Sequence, residues 1–138
     1  MDKALNYLAL AKRGRLVELG EEPVGAITRT GKGYLVVVAG DASDHTWRRA
    51  KSFVAGTDQQ CLKVPFTKEE LGFVVGRTSL AIAAFTDVSL ALAFVQALPE
   101  QEKVKKELEF LDAKAKKMRQ RKKEADAHKK NVRFGKKK

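Results

Sequence analysis

The sequence is poor in the residues from which catalytic and metal centres are usually built. Cys61 is its only cysteine, so no intrachain disulfide can form and a reducing compartment is the natural home for such a chain. The two histidines, His45 and His128, lie far apart and with one thiol make no metal-ligand set. Long apolar runs are also absent: Leu35–Ala39 and Leu80–Phe85 are far too short to span a bilayer. Met1-Asp2-Lys3-Ala4-Leu5 lacks the basic flank and apolar stretch of a signal peptide. A soluble, cytoplasmic protein is the expectation.

What the chain does have is an uneven charge. Its 138 residues, 43% of them hydrophobic, suffice for one domain of ordinary size or a smaller domain with an appendage. Lys and Arg number 28 against 17 Asp and Glu, a net +11. From Met1 to Asp112, 15 basic and 15 acidic residues cancel. From Ala113 to Lys138, 13 basic residues face only Glu124 and Asp126, so the last 26 residues carry the whole excess. A neutral body with a basic tail predicts a polyanionic partner, nucleic acid ahead of an anionic membrane. With Val132 and Phe134 as its large apolar residues, the tail has little to insert into lipid, and no membrane partner is expected.

Hydrophobic periodicity orders the body. Leu5, Leu8 and Ala11 recur at helical spacing up to Gly14, with Lys12, Arg13 and Arg15 at the end where cations suit a helix dipole. Gly20-Glu21-Glu22-Pro23 opens a second helix reaching about Thr30. Tyr34–Ala39 is a β-branched run for a strand buried on both faces. A third helix runs to about Val54, capped by Asp41 or Ser43, before a short strand at Gln60–Val64. Thr67-Lys68-Glu69-Glu70 is a capping box, Leu80–Phe85 a second fully apolar strand, and Thr86-Asp87 starts a helix that ends near Leu98-Pro99. This alternation predicts an α/β sandwich with helices on both faces of a small sheet. Beyond it, Val104, Leu108, Leu111, Ala115 and Met118 form a narrow helical stripe. The stripe either packs back on the domain or serves as a partner-binding seam.

No arrangement of catalytic residues emerges. Gly25–Gly33 has the wrong spacing and the wrong element order for a phosphate loop, and Gly33 follows Lys32 where Ser or Thr is needed. Asp41, Ser43 and His45 are too close in sequence to converge as a triad. The chain is therefore read as non-enzymatic, without metal or cofactor. Surface chemistry remains. The second helix offers free backbone N–H groups after Gly20, with Arg29 and Lys32 at its far end. Trp47-Arg48-Arg49 sets an indole beside two guanidinium groups, which can stack a splayed base and hold phosphates, although Trp47 equally suits a core. Lys68 and Arg77 flank the capping-box helix.

The order of these segments is familiar. Leu8–Ala11, Gly20-Glu21-Glu22, Leu35–Ser43, Val64–Gly72 and Ala83–Asp87 together resemble the kink-turn-binding ribosomal protein family of archaeal L-seven-Ae, eukaryotic L-thirty-e and their bacterial YlxQ-type relatives. The likeness covers about Leu5 to Leu98, and Lys68-Glu69-Glu70-Leu71-Gly72 is its most specific piece. The resemblance implies a three-layer α-β-α sandwich with a mixed four-stranded sheet, and structured RNA as ligand. It implies that sheared G·A pairs meet the second helix at Gly20, Glu21 and Glu22. A flipped-out base would enter between Ser43–Trp47, Lys68 and the loop of Arg77, Thr78, Ser79 and Leu80. The sequence departs from the strong kink-turn binders at Glu22, Pro23 and Ala26, where they carry Asn, Glu and Lys. Glu21 and Glu22 resemble the bacterial branch, whose Lys is Ala26 here. The expectation is therefore a weakened pocket compensated by phosphate contacts from Arg29, Arg48, Arg49 and Arg77, and from Arg119, Arg121, Lys122 and Lys123 of the tail. The organisation follows: an RNA-binding sandwich over residues 1–98, a charged helix over 99–130 and a basic flexible tail over 131–138. The rival expectation is a protein-interaction adaptor that kept the sandwich and lost the RNA site.

Overall fold

The computed structural model describes the backbone of residues 2–134 and the side chains of residues 2–126. Local signals start nearly every helix. In α1 (Lys3–Arg13) the Asp2 carboxylate accepts the Ala4 N–H at 2.8 Å. α3 (Asp44–Val54) is capped by Ser43, whose hydroxyl accepts from Thr46 N–H. α4 (Lys68–Val74) has the full capping box, with Thr67 and Glu70 accepting each other's backbone N–H at 3.0 and 2.9 Å. Asp87 caps α5 (Val88–Gln96) through Leu90 N–H. Each such cap is worth about 1 kcal/mol. Gly20 caps α2 (Glu21–Arg29) without a side chain.

Four strands lie in the order β1 (Val17–Leu19), β4 (Ile82–Phe85), β2 (Leu35–Val38) and β3 (Gln60–Lys63). β4 runs antiparallel to both β1 and β2, and β2 is parallel to β3, so the sheet is mixed. The period of two sorts its side chains into two cores. Leu35, Val37, Ala83 and Phe85 face the larger one, shared with Leu5 and Leu8 of α1, Leu71 of α4 and Leu92 and Val95 of α5. Val36, Val38, Ile82 and Ala84 face a smaller one under Val24 of α2 and Ala50 of α3. This is the three-layer sandwich. The edge strand β1 escapes a reading of the residues alone, because three residues are too few to display a period.

The C-terminal stripe is core as far as Ala115. A single 3₁₀ turn (Gln101–Val104) contributes Val104, and α6 (Lys105–Phe134) lays Leu111 and Ala115 into the larger core beside α5, with Leu108 packed against it. The folded unit therefore continues past Leu98 to Ala115. From Lys116 to Asp126 every side chain is exposed, so α6 leaves the body there as an arm. The helix passes the expected boundary at residue 130 and includes Asn131–Phe134, where a flexible tail was expected; residues 135–138 of that tail lie outside the described residues. No described helix is long and apolar enough to cross a membrane.

One buried amide joins the two ends of the α2–β2 turn. Gln59 accepts the Gly33 N–H at 2.9 Å and donates to the Thr28 carbonyl and the Thr57 hydroxyl, each at 3.1 Å. Gln59→Leu keeps the volume but strands the buried Gly33 N–H and removes one of the two donors to the Thr28 carbonyl, which keeps the Gly31 N–H. It is expected to cost about 1–3 kcal/mol, seen as a lower urea midpoint with an unchanged m-value.

Candidate functional site

The segments singled out from the sequence meet at the C-terminal end of β2, tied by backbone hydrogen bonds. Gly20 N–H donates to Ile82 C=O at 3.0 Å, joining the start of α2 to the start of β4. Asp41 does not cap α3. Its carboxylate reaches across 27 positions to accept Lys68 N–H at 2.8 Å, joining the β2–α3 loop to α4. Lys68 C=O in turn accepts Leu80 N–H at 2.9 Å, and Gly72 C=O accepts Arg77 N–H at 2.8 Å. The loop Arg77–Ser79 therefore lies directly on α4. Only glycine permits this at position 72, where a Cβ would stand 2.8 Å from Arg77 O, Ser79 N and Ser79 Cα.

Gly20 is the hinge of the site. Its φ of +100° is open to glycine and strained for other residues, and it turns the chain from β1 directly into α2. A Cβ at Gly20 would lie 3.7 Å from an Arg77 guanidinium nitrogen, so that cation sits beside the positive end of α2. Two like electrostatic sources side by side repel each other and together attract an anion. Arg77 also lines a cleft of about 510 Å³ with Lys12, Arg13, Arg15, Glu18 and Pro23 along the open edge of β1. Lys12, Arg13 and Arg15 were missed by sequence reasoning, which assigned them to a helix C-terminus. Their cluster of three cations in four positions was a signal, but without β1 nothing linked it to Gly20. Arg15 is held at φ 59°, a left-handed conformation that costs a non-glycine residue about 1 kcal/mol or more.

Charge around the helix start is arranged more favourably than the sequence suggests. Glu21 is met by Arg49 of α3 at 3.6 Å, which offsets one of the two carboxylates there. The Arg49 guanidinium also lies 4.9 Å from the Phe53 ring centre. Glu22, Pro23 and Ala26 are exposed, so the positions that depart from the family motif lie on the surface of α2. Arg48, Ser43, Thr78 and Ser79 are exposed around this end, and Lys68 is half-buried. Trp47 is half-buried against the smaller core, with the Lys51 and Lys63 ammonium groups 5.4 and 5.6 Å from its ring. A base can stack on it only by displacing a lysine.

Other candidates are not brought here. Arg29 sits at the opposite end of α2, about 12 Å from Glu21 along the axis. Arg119, Arg121, Lys122 and Lys123 are on the exposed arm of α6. The arm departs near Gly31, Tyr34 and Asp58, at the N-terminal end of β2, rather than beside the surface it was expected to reinforce. Burial pushes the Cys61 thiol up to about 12, with Lys51 opposing the rise and Glu107 adding to it, which disfavours the thiolate.

No protein-family model matches the chain, and no curated protein matches it. Solved structures do. A protein of unknown function from Bacillus halodurans is 24% identical with a TM-score of 0.65, over 70% of this chain and 97% of that one. The 15.5 kD RNA-binding protein of Giardia lamblia is 17% identical with a TM-score of 0.52, over 69% of this chain and 81% of that one. At these identities the likeness is one of fold: the chain shares its α/β sandwich with both.

Proposed function

We propose that the protein is a non-enzymatic RNA-binding protein of ribosomal type, whose sandwich recognises a structured RNA and whose basic arm adds phosphate contacts. The observation that carries this reading is the pairing of Arg77 with the glycine-capped start of α2, an electropositive point framed by the segments the family resemblance names. The shared fold with a Giardia protein named for RNA binding supports the class of ligand. A kinked internal loop is the RNA that the family resemblance suggests. Exposed Ala26 stands where the family's lysine would be, so Ala26→Lys should tighten binding.

Fluorescence anisotropy tests the reading with two RNAs of equal length at about 0.15 M salt. One is a helix–internal loop–helix with tandem sheared G·A pairs, and the other is fully paired. The internal-loop RNA is expected to bind at least about tenfold tighter, and Arg77→Glu to remove roughly that advantage. Equal affinity for the two RNAs would refute recognition of the kink. Failure to bind either would refute the RNA reading.

The adaptor reading has one observation of its own. Phe73 on α4 is 78% exposed, and Leu10 on α1, 45% exposed, lines a cleft with Tyr7 and Val74. An apolar patch of this kind suits a protein partner. Crosslinking in cells separates the readings: RNA adducts at Trp47 or Lys68 favour the first, and protein adducts confined to the Phe73 face favour the second.

A further inference from the structure

At the fork where α6 leaves the body lies a second cleft, of about 880 Å³, within the size range that encloses small ligands. We propose that this cleft binds an unpaired stretch of RNA, as a site separate from the one at the start of α2. Its apolar surface comes from the half-buried rings of Tyr34 and Phe110 and from Met118, which is 40% exposed. Its charge comes from Lys114, Lys117 and Arg121, which recur at steps of three and four and so share one face of α6. These residues line the cleft, with Lys117 and Arg121 exposed to solvent there. Among the described residues, neither Lys117 nor Arg121 makes a salt bridge.

Lys114 already makes both kinds of contact. Its ammonium lies 5.3 Å from the Tyr34 ring centre, 5.8 Å from that of Phe110, and 3.2 Å from the Asp58 carboxylate. The Asp58 oxygen occupies a place suited to a phosphate oxygen, and the two rings offer faces to bases. Cations interleaved with aromatic faces are the pattern by which single strands are held, because every base has a face to stack and every linkage a charge to pair. An acidic peptide would use the ammonium groups and leave the rings idle. A duplex would keep its base faces stacked inside.

Position makes the two sites independent. Tyr34 immediately precedes β2 and Gly40 closely follows it, so the cleft and the α2 surface lie at opposite ends of that strand, about 20 Å apart. One RNA must wrap past the sheet to fill both, or two segments must be held at once. Because Arg77 is outside the cleft, failure of either site leaves the other standing.

The test uses the full chain and a fluorescein-labelled hexauridylate, with a hexaglutamate peptide as the rival probe. Charge reversal at Lys117→Glu with Arg121→Glu is expected to weaken hexauridylate binding about tenfold, and Asp58→Asn to tighten it about two- to threefold. The double reversal Arg119→Glu with Lys122→Glu, on the same helix but outside the cleft, should have a markedly smaller effect. Arg77→Glu, at the other site, should have a smaller effect than the reversal in the cleft. Photocrosslinking with 5-iodouridine in the same oligonucleotide is expected at Tyr34 or Phe110. All these side chains except the two rings are exposed, and the rings are left unchanged, so folding is preserved. Equal losses from both double reversals would overturn the cleft as a site, since the arm would then be acting as diffuse charge. Hexaglutamate binding as tight as hexauridylate, with the same response to the variants, would overturn the assignment to RNA. Crosslinks found only at Trp47 or along the outer face of the arm would do the same.

Discussion

Ending the chain after Lys117 should weaken RNA binding about a thousandfold near 0.15 M salt while leaving the fold intact. The deletion removes 10 basic residues against Glu124 and Asp126. It leaves Val104, Leu111 and Ala115 in place, which a chain ending at Leu98 would strip from the larger core. If the intact arm neutralises about eight phosphates, log K falls with log salt at a slope of about −6 to −7, and the shortened chain should show about −1 to −2. The magnitude follows from counterion release, because each phosphate neutralised frees a condensed cation whose entropy depends on bulk salt. Filter binding at several salt concentrations reads both quantities. Equal affinity and equal slope for the two chains would remove the arm from the mechanism.

Leu111→Ala should cost about 2–5 kcal/mol, a large part of the stability of a domain this size. Leu111 is fully buried in the larger core where α6 packs along α5, so truncation leaves a cavity that the surroundings fill only partly. Met118→Ala, two turns later on the same stripe but 40% exposed, should change stability by less than about 0.5 kcal/mol. Urea denaturation of the two variants distinguishes a helix that completes the core from a seam held for a partner. Small and equal effects at the two positions would contradict the packing described above.

α6 is thus one helix with two properties, and the change between them is visible in the stripe. Val104, Leu108, Leu111 and Ala115 recur at steps of four, three and four because α5 lies along that face. After Ala115 the same face carries Lys, Met and Arg, and the side chains are exposed as far as Asp126. Such a segment holds itself by its own i,i+4 contacts, here Lys116 with Asp112 at 3.1 Å and Gln120 with Glu124 at 3.3 Å. A helical arm rather than a loose tail presents its cations at fixed spacing. Nineteen residues from Lys116 to Phe134 extend about 28 Å.

Much of the site was legible as residue types and little of it as neighbours. Thr67 and Glu70 were readable as a reciprocal cap because both partners sit within one turn. Asp41 was misread for the complementary reason: its own neighbours suggest capping α3, while its actual partner is the Lys68 N–H, 27 positions away. The Glu21 carboxylate is met by Arg49, a residue that sequence reasoning had reserved for phosphate. The arm's cations, expected to reinforce the α2 surface, emerge at the far end of β2 and form a cleft with Tyr34 and Phe110.

By itself, then, the sequence determined the alternation of helices and buried strands, most of the caps, and the division of charge between a neutral body and a basic C-terminus. These are local quantities, set by periodicity over a few turns, by side chains that reach their own backbone, and by simple counting. Only the tertiary structure decided that β1 closes the sheet, that Arg77 stands beside Gly20, and that α6 belongs to the core as far as Ala115. Those contacts arise from pairings between segments tens of residues apart. Their free energy comes from burying surfaces that no single segment can display alone.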